Sequence, residues 1–205
     1  MYPNLTKVIE DLDVSTIPEI RKQVLQQLIN FAQNKVDTNT PINLNFICTH
    51  NSRRSHFAQI WAQTMASFFK IKNVYCYSGG TETTALFPKV IDTLKQAGFD
   101  IKTTLNAENP KHEILFSKSE KPIIGFSKSY DDDFNPKDNF AAIMTCSHAD
   151  ENCPTVYGCD ARIPITYNDP KAFDNSPMQT LKYQETSILI AREMKYVFSK
   201  IHQKP

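Results

Sequence analysis

The sequence predicts an α/β fold, a three-layer sandwich in which helices cover both faces of a mainly parallel central sheet. Short apolar runs that fit buried strands alternate along the chain with segments of helical periodicity, an order typical of parallel sheets. The chain has 205 residues, of which 40% are hydrophobic, so it is long enough to bury one sizeable core. We therefore expect one main domain.

The first part of the chain, residues 1–41, is predicted to be an N-terminal extension with one helix. Residues 1–14 are polar and are expected to be poorly fixed. A helix is predicted from Ile17 to about Asn34, because a Ser-Thr pair and Pro18 mark its start. Its apolar face is predicted to contain Ile17, Ile20, Val24, Leu28 and Phe31.

The remainder, residues 42–205, is predicted to form the main domain, with an insertion at about 103–138. Two short runs of strand-forming residues in the insertion predict a β-hairpin or two edge strands. Other strands are predicted at 42–48, 73–78, 140–145 and 163–167. Helices are predicted at about 54–70, from Pro88 to before Gly98, and from about 175 to 202, the last with an apolar face of Tyr183, Ile188, Ala191, Met194, Val197, Phe198 and Ile201.

Composition argues against several classes of protein. The net charge is +1 and the basic residues are spread along the chain, which gives no basis for binding nucleic acid or a membrane surface. The N-terminus lacks the apolar core of a signal peptide, and no apolar run approaches the roughly 18 residues of a membrane-spanning helix. We therefore expect a cytoplasmic protein, in which the five cysteines are buried, metal-binding or catalytic.

A cysteine and an arginine separated by five residues stand between the first predicted strand and its helix. Cys48 ends the strand and Arg54 opens the helix. In such a turn successive backbone N–H groups can point inward, and the helix N-terminus adds unpaired donors and a positive dipole end. This arrangement fits a dianionic tetrahedral ligand, and its field favours the thiolate, the nucleophilic form of cysteine. The guanidinium of Arg54 can hold two ligand oxygens at once.

The remaining loop residues complete a predicted oxyanion site. Hydroxyl groups in the loop can donate to the sulfur or to the ligand. Asn51 is a residue type that tolerates a positive φ in a tight turn. The predicted oxyanion-binding residues are Thr49, His50, Asn51, Ser52, Arg53 and Ser55.

Residues 48–55, Cys-Thr-His-Asn-Ser-Arg-Arg-Ser, resemble the phosphate loop of the low-molecular-weight protein tyrosine phosphatase superfamily, which includes the thiol-linked arsenate reductases. Two positions depart from that pattern. His50 stands where these families usually carry Gly, and Arg53 where they usually carry Cys or another uncharged residue. The Ser-Gly-Gly-Thr-Glu stretch at 78–82 and the helix after it also resemble the second βα unit of the superfamily.

Asp169 is the candidate general acid, because attack on a tetrahedral oxyanion requires a proton for the departing oxygen. The last predicted strand should bring it to the same edge of the sheet as Cys48. The Asp169-Pro170 pair also resembles the general-acid loop of the superfamily.

A second segment distinguishes between the two reactions that such a site could catalyse, hydrolysis of a phosphomonoester and reduction of an oxyanion. Residues 146–154, Cys-Ser-His-Ala-Asp-Glu-Asn-Cys-Pro, resemble the redox segment of thioredoxin-coupled arsenate reductases, and Cys146 and Cys153 match its two cysteines. The resemblance implies reduction of arsenate to arsenite through a disulfide relay from Cys48 to Cys146 to Cys153. It also implies thioredoxin as electron donor and partner, no tightly bound cofactor, and a loop that accepts phosphate, sulfate or arsenate.

The spacing of these two cysteines makes a geometric demand. If residues 146–153 were helical, the two Cα atoms would lie about 10.5 Å apart at 1.5 Å per residue. A disulfide requires a Cα separation of less than about 7 Å. The segment must therefore form a loop or unwind during turnover.

Other functions remain open from the sequence. A phosphotyrosine-type phosphatase, which hydrolyses phosphomonoesters through a cysteinyl-phosphate, needs only Cys48, Arg54 and Asp169. A low-molecular-weight thiol can replace thioredoxin as reductant, and a partner-binding protein can retain an oxyanion site. A structural zinc site is a further alternative, although the spacing lacks the close cysteine pairs of zinc modules; its ligands would be Cys146, His148, Cys153 and Cys159.

Overall fold

The computed structural model describes residues 1–104, 107–152 and 155–203. The strands of this part of the chain are β1 (Ile42–Cys48), β2 (Val74–Gly80), β3 (Asp100–Thr103), β4 (His112–Leu115), β5 (Ile123–Gly125), β6 (Phe140–Met144) and β7 (Cys159–Pro164). Its α-helices are α1 (Pro3–Glu10), α2 (Glu19–Asp37), α3 (Arg54–Phe68), α4 (Pro88–Gln96), α5 (Ser147–Asn152) and α6 (Gln179–Ser199). None of these helices has the length and apolar character needed to cross a membrane.

The centre of the fold is a four-stranded parallel sheet in the order β2-β1-β6-β7. Every residue of β6 is buried, and so is all of β1 except Asn43, as expected for strands covered on both faces. Because the strands are parallel, their C-terminal ends meet at one edge of the sheet. The predicted α/β fold with a mainly parallel sheet is confirmed.

Two apolar clusters lie against this sheet. The larger contains side chains of α2, α3, α4 and α6 together with Leu44 and Phe46 of β1. The smaller contains Ile47 of β1, alternate residues of β6, and Ala149 of α5. Since neighbouring residues of a strand point to opposite faces, both faces of the sheet are covered.

The N-terminal extension is more ordered than predicted. Residues 3–10 form α1, in which Leu5 and Ile9 are fully buried, so the expectation of a poorly fixed segment at 1–14 is wrong. Their spacing of four residues places both on one helix face, a signal that is weak in so short a segment. The one helix predicted in the extension is present as α2, so that with α1 the extension has two helices, and the buried face of α2 is Leu25, Leu28, Ile29 and Ala32. Ile20 is 74% exposed, which contradicts its predicted place on that face.

Two other predictions need correction. In α6, Ile188 is 39% exposed, and Ile190 takes the buried place instead. Strand β7 begins at Cys159 rather than Ile163. Its pairing with β6 nevertheless continues past its end, since Ile165 N–H donates to Met144 O (3.0 Å) and Tyr167 N–H donates to Thr145 O (3.1 Å).

The insertion forms a small antiparallel sheet in the order β3-β4-β5. The two strand-forming runs predicted in the insertion lie at 112–116 and 122–126, and they are confirmed as β4 and β5. Strand β3 was not predicted, and its pairing with β4 extends the hairpin to three strands. The division of the chain into an extension of 1–41 and a main domain of 42–205 stays a prediction.

The outer edge of β2 is closed by side chains and by the insertion. The Gln63 amide in α3 donates to Val74 O (3.1 Å) and accepts from Cys76 N–H (2.9 Å), as a neighbouring strand would. The Gln59 amide donates to Cys76 O (3.1 Å). Farther along, the Asn135 amide donates to Ser78 O (3.0 Å), and Gly80 pairs with residues 128–130.

Candidate active site

Strand β1 brings Cys48 to the C-terminal edge of the sheet, and residues 49–53 form a loop before α3 begins at Arg54. The Cys48 side chain is buried, with 4% of its surface exposed. Asn51 has a φ of 44°, the conformation expected of it from the sequence. His50 is not among the residues of positive φ, so this turn does not require glycine at position 50.

The backbone N–H groups of residues 49–53 donate no hydrogen bond within the described chain. Thr49, Asn51 and Ser52 are nevertheless buried. The Nε of Arg54 is also buried without a partner among the described residues. Buried donors are normally satisfied, so a group of unpaired donors beside a buried cysteine indicates a site for an anion.

One hydroxyl contacts the Cys48 sulfur, and an amide side chain orients that hydroxyl. Ser55 Oγ lies 3.1 Å from Cys48 Sγ. The Asn51 amide donates to Ser55 Oγ (2.9 Å), so the Ser55 hydroxyl proton is left to face the sulfur. A hydroxyl that donates to sulfur stabilises the thiolate.

Arg54 and Asp169 lie together, as the order of the strands predicts. Arg54 Nη2 donates to Asp169 Oδ2 (2.5 Å), and Arg54 Nη1 donates to Tyr167 O (3.0 Å). Asp169 Oδ1 accepts the N–H of Lys171 at the start of the 3-10 turn Pro170–Phe173. The candidate acid is therefore held beside the arginine of the loop.

The side chain of Arg53 points to a different set of partners. Its Nη2 donates to Asp174 Oδ2 (2.6 Å) and its Nε donates to Tyr183 OH (2.5 Å). The guanidinium also stacks on the Phe87 ring at 4.0 Å. The Arg53 contribution to an oxyanion site is thus limited to its backbone, and its side chain links the loop to α6 and to the segment after Asp169.

His50 also contributes backbone rather than side chain. Its ring lies 3.3 Å from the carboxylate of Glu82 and is partly exposed. Its carbonyl accepts from Ser127 Oγ (3.0 Å). Ser52 is similarly engaged, since its hydroxyl donates to Ala85 O (2.7 Å). These side chains fix the outside of the loop.

The insertion supports the loop from behind, which the sequence did not indicate. Lys128 N–H donates to Asn51 Oδ1 (2.9 Å), and Lys128 O accepts from Gly80 N–H (2.9 Å). A Cβ at Gly80 would lie 2.7 Å from Thr49 O and 2.8 Å from Asn51 N, so a larger residue does not fit. The Ser-Gly-Gly pattern was the one sequence signal for this close approach.

Cys146 follows β6 and is also at the active-site edge. It is 1% exposed, and its sulfur accepts the N–H of Ala149 at 3.3 Å. Thr49 Oγ1 lies 3.5 Å from Cys146 Sγ and 3.3 Å from His148 Nδ1. Thr49 therefore contacts the redox segment. His148 was considered from the sequence only as a zinc ligand.

The other cysteines are placed differently. Cys153, the predicted second redox cysteine, lies outside the described residues. Cys159 pairs with Phe140 at the beginning of β6, the end remote from Cys146. Cys76 is buried in the core, and burial raises the pKa of its thiol. Among the residues that the structure describes, no group of three or more metal-ligating side chains lies together.

The chain was compared with known proteins. It is 32% identical to an arsenate reductase of Staphylococcus aureus (strain Newman) over 112 residues, which are 54% of this chain and 65% of that enzyme. It is 29% identical to arsenate reductase 2 of Staphylococcus epidermidis over 137 residues, 67% of this chain and 85% of that enzyme. No protein-family model matches the chain.

The fold has known counterparts as well. The low-molecular-weight protein tyrosine phosphatase of T. tengcongensis superposes with a TM-score of 0.52 at 14% identity, over 78% of this chain and 99% of that chain. At this identity the likeness shows a shared fold. The chain is therefore similar in sequence to arsenate reductases over part of its length, and it has the fold of a low-molecular-weight phosphatase.

Proposed function

We propose that this chain belongs to the low-molecular-weight protein tyrosine phosphatase superfamily and reduces arsenate to arsenite, with Cys48 as nucleophile. The observation that carries the proposal is the juxtaposition of two features. The N–H groups of residues 49–53, which directly follow Cys48, donate no hydrogen bond within the described chain, and Thr49 in the same loop hydrogen-bonds to a second thiol, Cys146. An oxyanion site beside a second thiol is suited to reduction.

In the first step, arsenate binds to the backbone N–H groups and to Arg54. The Cys48 thiolate attacks arsenic, and one oxygen leaves as water. Asp169, beside the Arg54 guanidinium, is positioned to assist the departing oxygen. Arg54 also engages Tyr167 O, so its orientation is fixed before the ligand arrives.

In the second step, the Cys146 sulfur attacks the Cys48 sulfur. The S–S bond forms as the S–As bond breaks, and the electron pair of the S–As bond stays on arsenic, which leaves as arsenite. Two thiols are oxidised to one disulfide. Cys153 then attacks Cys146, and a thioredoxin-type reductant takes up the resulting Cys146–Cys153 disulfide.

The test is arsenate-dependent oxidation of reduced thioredoxin, followed as NADPH consumption with thioredoxin reductase. Glutathione as a replacement donor identifies the class of reductant. Cys153→Ser should release one arsenite per molecule and then stop, because the first disulfide cannot be passed on. Cys159→Ser is the matched control and should retain turnover, since that residue lies at the other end of β6 and β7. Continued thioredoxin-driven turnover by Cys153→Ser would refute the relay.

A phosphatase activity is the second candidate, because hydrolysis of a phosphomonoester needs only the oxyanion loop and an acid. The arrangement of Cys48, Arg54 and Asp169 meets that need. Thr49 offers a small pocket wall, and Lys-Ala-Phe follows Asp169-Pro170 in place of an aromatic pair. We therefore expect weak hydrolysis of an aryl phosphate that persists in Cys146→Ser, whereas arsenate reduction is lost in that variant.

A further inference from the structure

We propose that His148 accepts, through the Thr49 hydroxyl, the proton that Cys146 loses when it attacks Cys48. This inference rests on the proposed function and assigns His148 and Thr49 a role in its second step. The observation behind it is a continuous chain of polar atoms from a buried sulfur to an exposed imidazole.

The hydrogen-bond geometry fits transfer in that direction. Thr49 Oγ1 lies 3.5 Å from Cys146 Sγ and 3.3 Å from His148 Nδ1. A hydroxyl has one proton and two acceptor lone pairs, so it can accept from a thiol while it donates to an unprotonated ring nitrogen. One shift along this chain leaves a thiolate at Cys146, a neutral threonine and a protonated imidazole.

Burial explains why such a chain is needed. Cys146 is 1% exposed and Thr49 is 8% exposed, so bulk water has little access to the thiol. The His148 ring is exposed and can release the proton to solvent. Imidazole is the side chain whose protonation ordinarily changes between pH 5 and 8, which makes it a suitable base at neutral pH.

The surroundings of Cys146 also favour the thiolate once it forms. The Ala149 N–H donates to the sulfur at 3.3 Å. Cys48 belongs to the same buried cluster as Cys146, and Asp150 and Glu151 are the titratable residues that follow His148 in α5. Asp150 forms an ion pair with Arg162 of β7 at 2.6 Å. The guanidinium thus compensates the negative charge that Asp150 places within the redox segment.

The complete step is balanced. Cys146 loses a proton to the relay, its sulfur forms the bond to Cys48 Sγ, and the bond between Cys48 and arsenic breaks. Arsenic keeps the electron pair and is reduced from the pentavalent to the trivalent state. The two sulfurs are oxidised to a disulfide, and His148 passes the proton to water.

The experiment uses Cys153→Ser protein, in which oxidation stops at the Cys48–Cys146 disulfide. In single turnover with arsenate, His148→Ala should slow arsenite release about a hundredfold, the lower end of what a positioned base contributes. Added imidazole should restore most of the rate in His148→Ala, and should not do so when Thr49→Val is also present. Alkylation of Cys48 by iodoacetate is the control for loop integrity, and its rate should be unchanged by His148→Ala.

A second arm needs no arsenate and so separates this inference from the proposed function. Hydrogen peroxide converts Cys48 to a sulfenic acid, and attack by Cys146 gives the same disulfide with release of water. Dimedone competes for the sulfenic acid, so the ratio of adduct to disulfide measures the attack by Cys146. His148→Ala should shift this ratio toward the adduct, with reversal by imidazole. An unchanged ratio, or a shift that imidazole does not reverse, would overturn the relay, whether or not the wild type reduces arsenate.

Discussion

At the scale of single residues, Lys128 is the clearest case of an ionisable side chain that is buried rather than exposed to solvent. Its side chain is buried, with 2% exposed, and its Nζ lies over the rings of Phe126 (4.5 Å) and Phe134 (5.3 Å). Burial lowers the pKa of Lys128 from 10.5 to about 8. The backbone of this residue supports Asn51, so its position is tied to the oxyanion loop.

The lowered pKa predicts a specific dependence of stability on pH. Between pH 8 and 10.5 the unfolded chain binds a proton at Lys128 that the folded chain does not, so folding stability rises with pH in that window. Below pH 8 the buried charge destabilises the fold by about 3 kcal/mol. Lys128→Met should therefore be more stable than wild type at pH 7, and the difference should shrink toward pH 10.5. Urea unfolding at several pH values measures it, and a difference that is constant with pH would contradict the assignment.

The oxyanion loop also shows which roles of single residues can be predicted from the sequence. The positive φ of Asn51 was predictable because turn chemistry is a local property. The contact of Arg54 with Asp169 was predictable because parallel strands bring both to one edge of the sheet. The contacts of the Arg53 side chain with Asp174 and Tyr183 were not predictable, because no strand end or motif in the sequence points to them. A pattern of spacing identifies a loop without showing which of its side chains face inward.

At the scale of elements, the central strands were the easiest to predict, since β6 is a continuous apolar run and β1 alternates apolar residues with asparagine before it ends in Phe-Ile-Cys. Strand β3 is four residues long and alternates poorly, and only its pairing with β4 makes it a strand. In α2 the helix was predicted, but of the apolar face predicted for it only Leu28 is among the buried residues of the helix, because the packed face is rotated toward Leu25, Ile29 and Ala32. Long-range packing, rather than periodicity, decided these features.

Helix α5 carries a prediction of its own. Residues 147–152 are helical, and a chain that is helical from 146 to 153 spans about 10.5 Å between its end Cα atoms, more than a disulfide can bridge. Oxidation to the Cys146–Cys153 disulfide should therefore unwind α5 and speed amide hydrogen exchange in 147–152. Mass spectrometry of reduced and oxidised protein measures this, with α4 as the internal control. Equal exchange in the two forms, with the disulfide verified by mass, would show that α5 does not unwind.

At the scale of the whole molecule, the N-terminal extension is bound to the last helix by a buried ion pair. Arg21 in α2 contacts Glu193 in α6 through two hydrogen bonds, of 2.7 and 2.8 Å. The Glu193 side chain is 2% exposed. The Arg21 guanidinium also lies 5.0 Å from the ring centre of Tyr167, just before Asp169. No local sequence pattern predicts a contact between residues that are 172 positions apart in the chain.

Replacement of one partner of this ion pair should destabilise the fold far more than replacement of both. Arg21→Met leaves the Glu193 carboxylate buried without its counter-charge, which should lower the free energy of unfolding by about 3–5 kcal/mol. The double variant with Glu193→Met replaces the pair with apolar side chains and should recover most of that loss. Urea denaturation of the two single variants and the double variant measures the coupling. A double variant as unstable as the sum of the singles would mean that the two residues act independently.

The closed edge of β2 has a consequence for how copies of this chain behave at high concentration. An open strand edge invites a second molecule to extend the sheet, which is a common route to fibrous aggregates. Here the outward carbonyls of Val74, Cys76 and Ser78 already accept hydrogen bonds from side-chain amides, and Gly80 is paired with the insertion. A strand from another molecule would have to displace Gln63 of α3 before it could pair, so this margin of the sheet resists polymerisation.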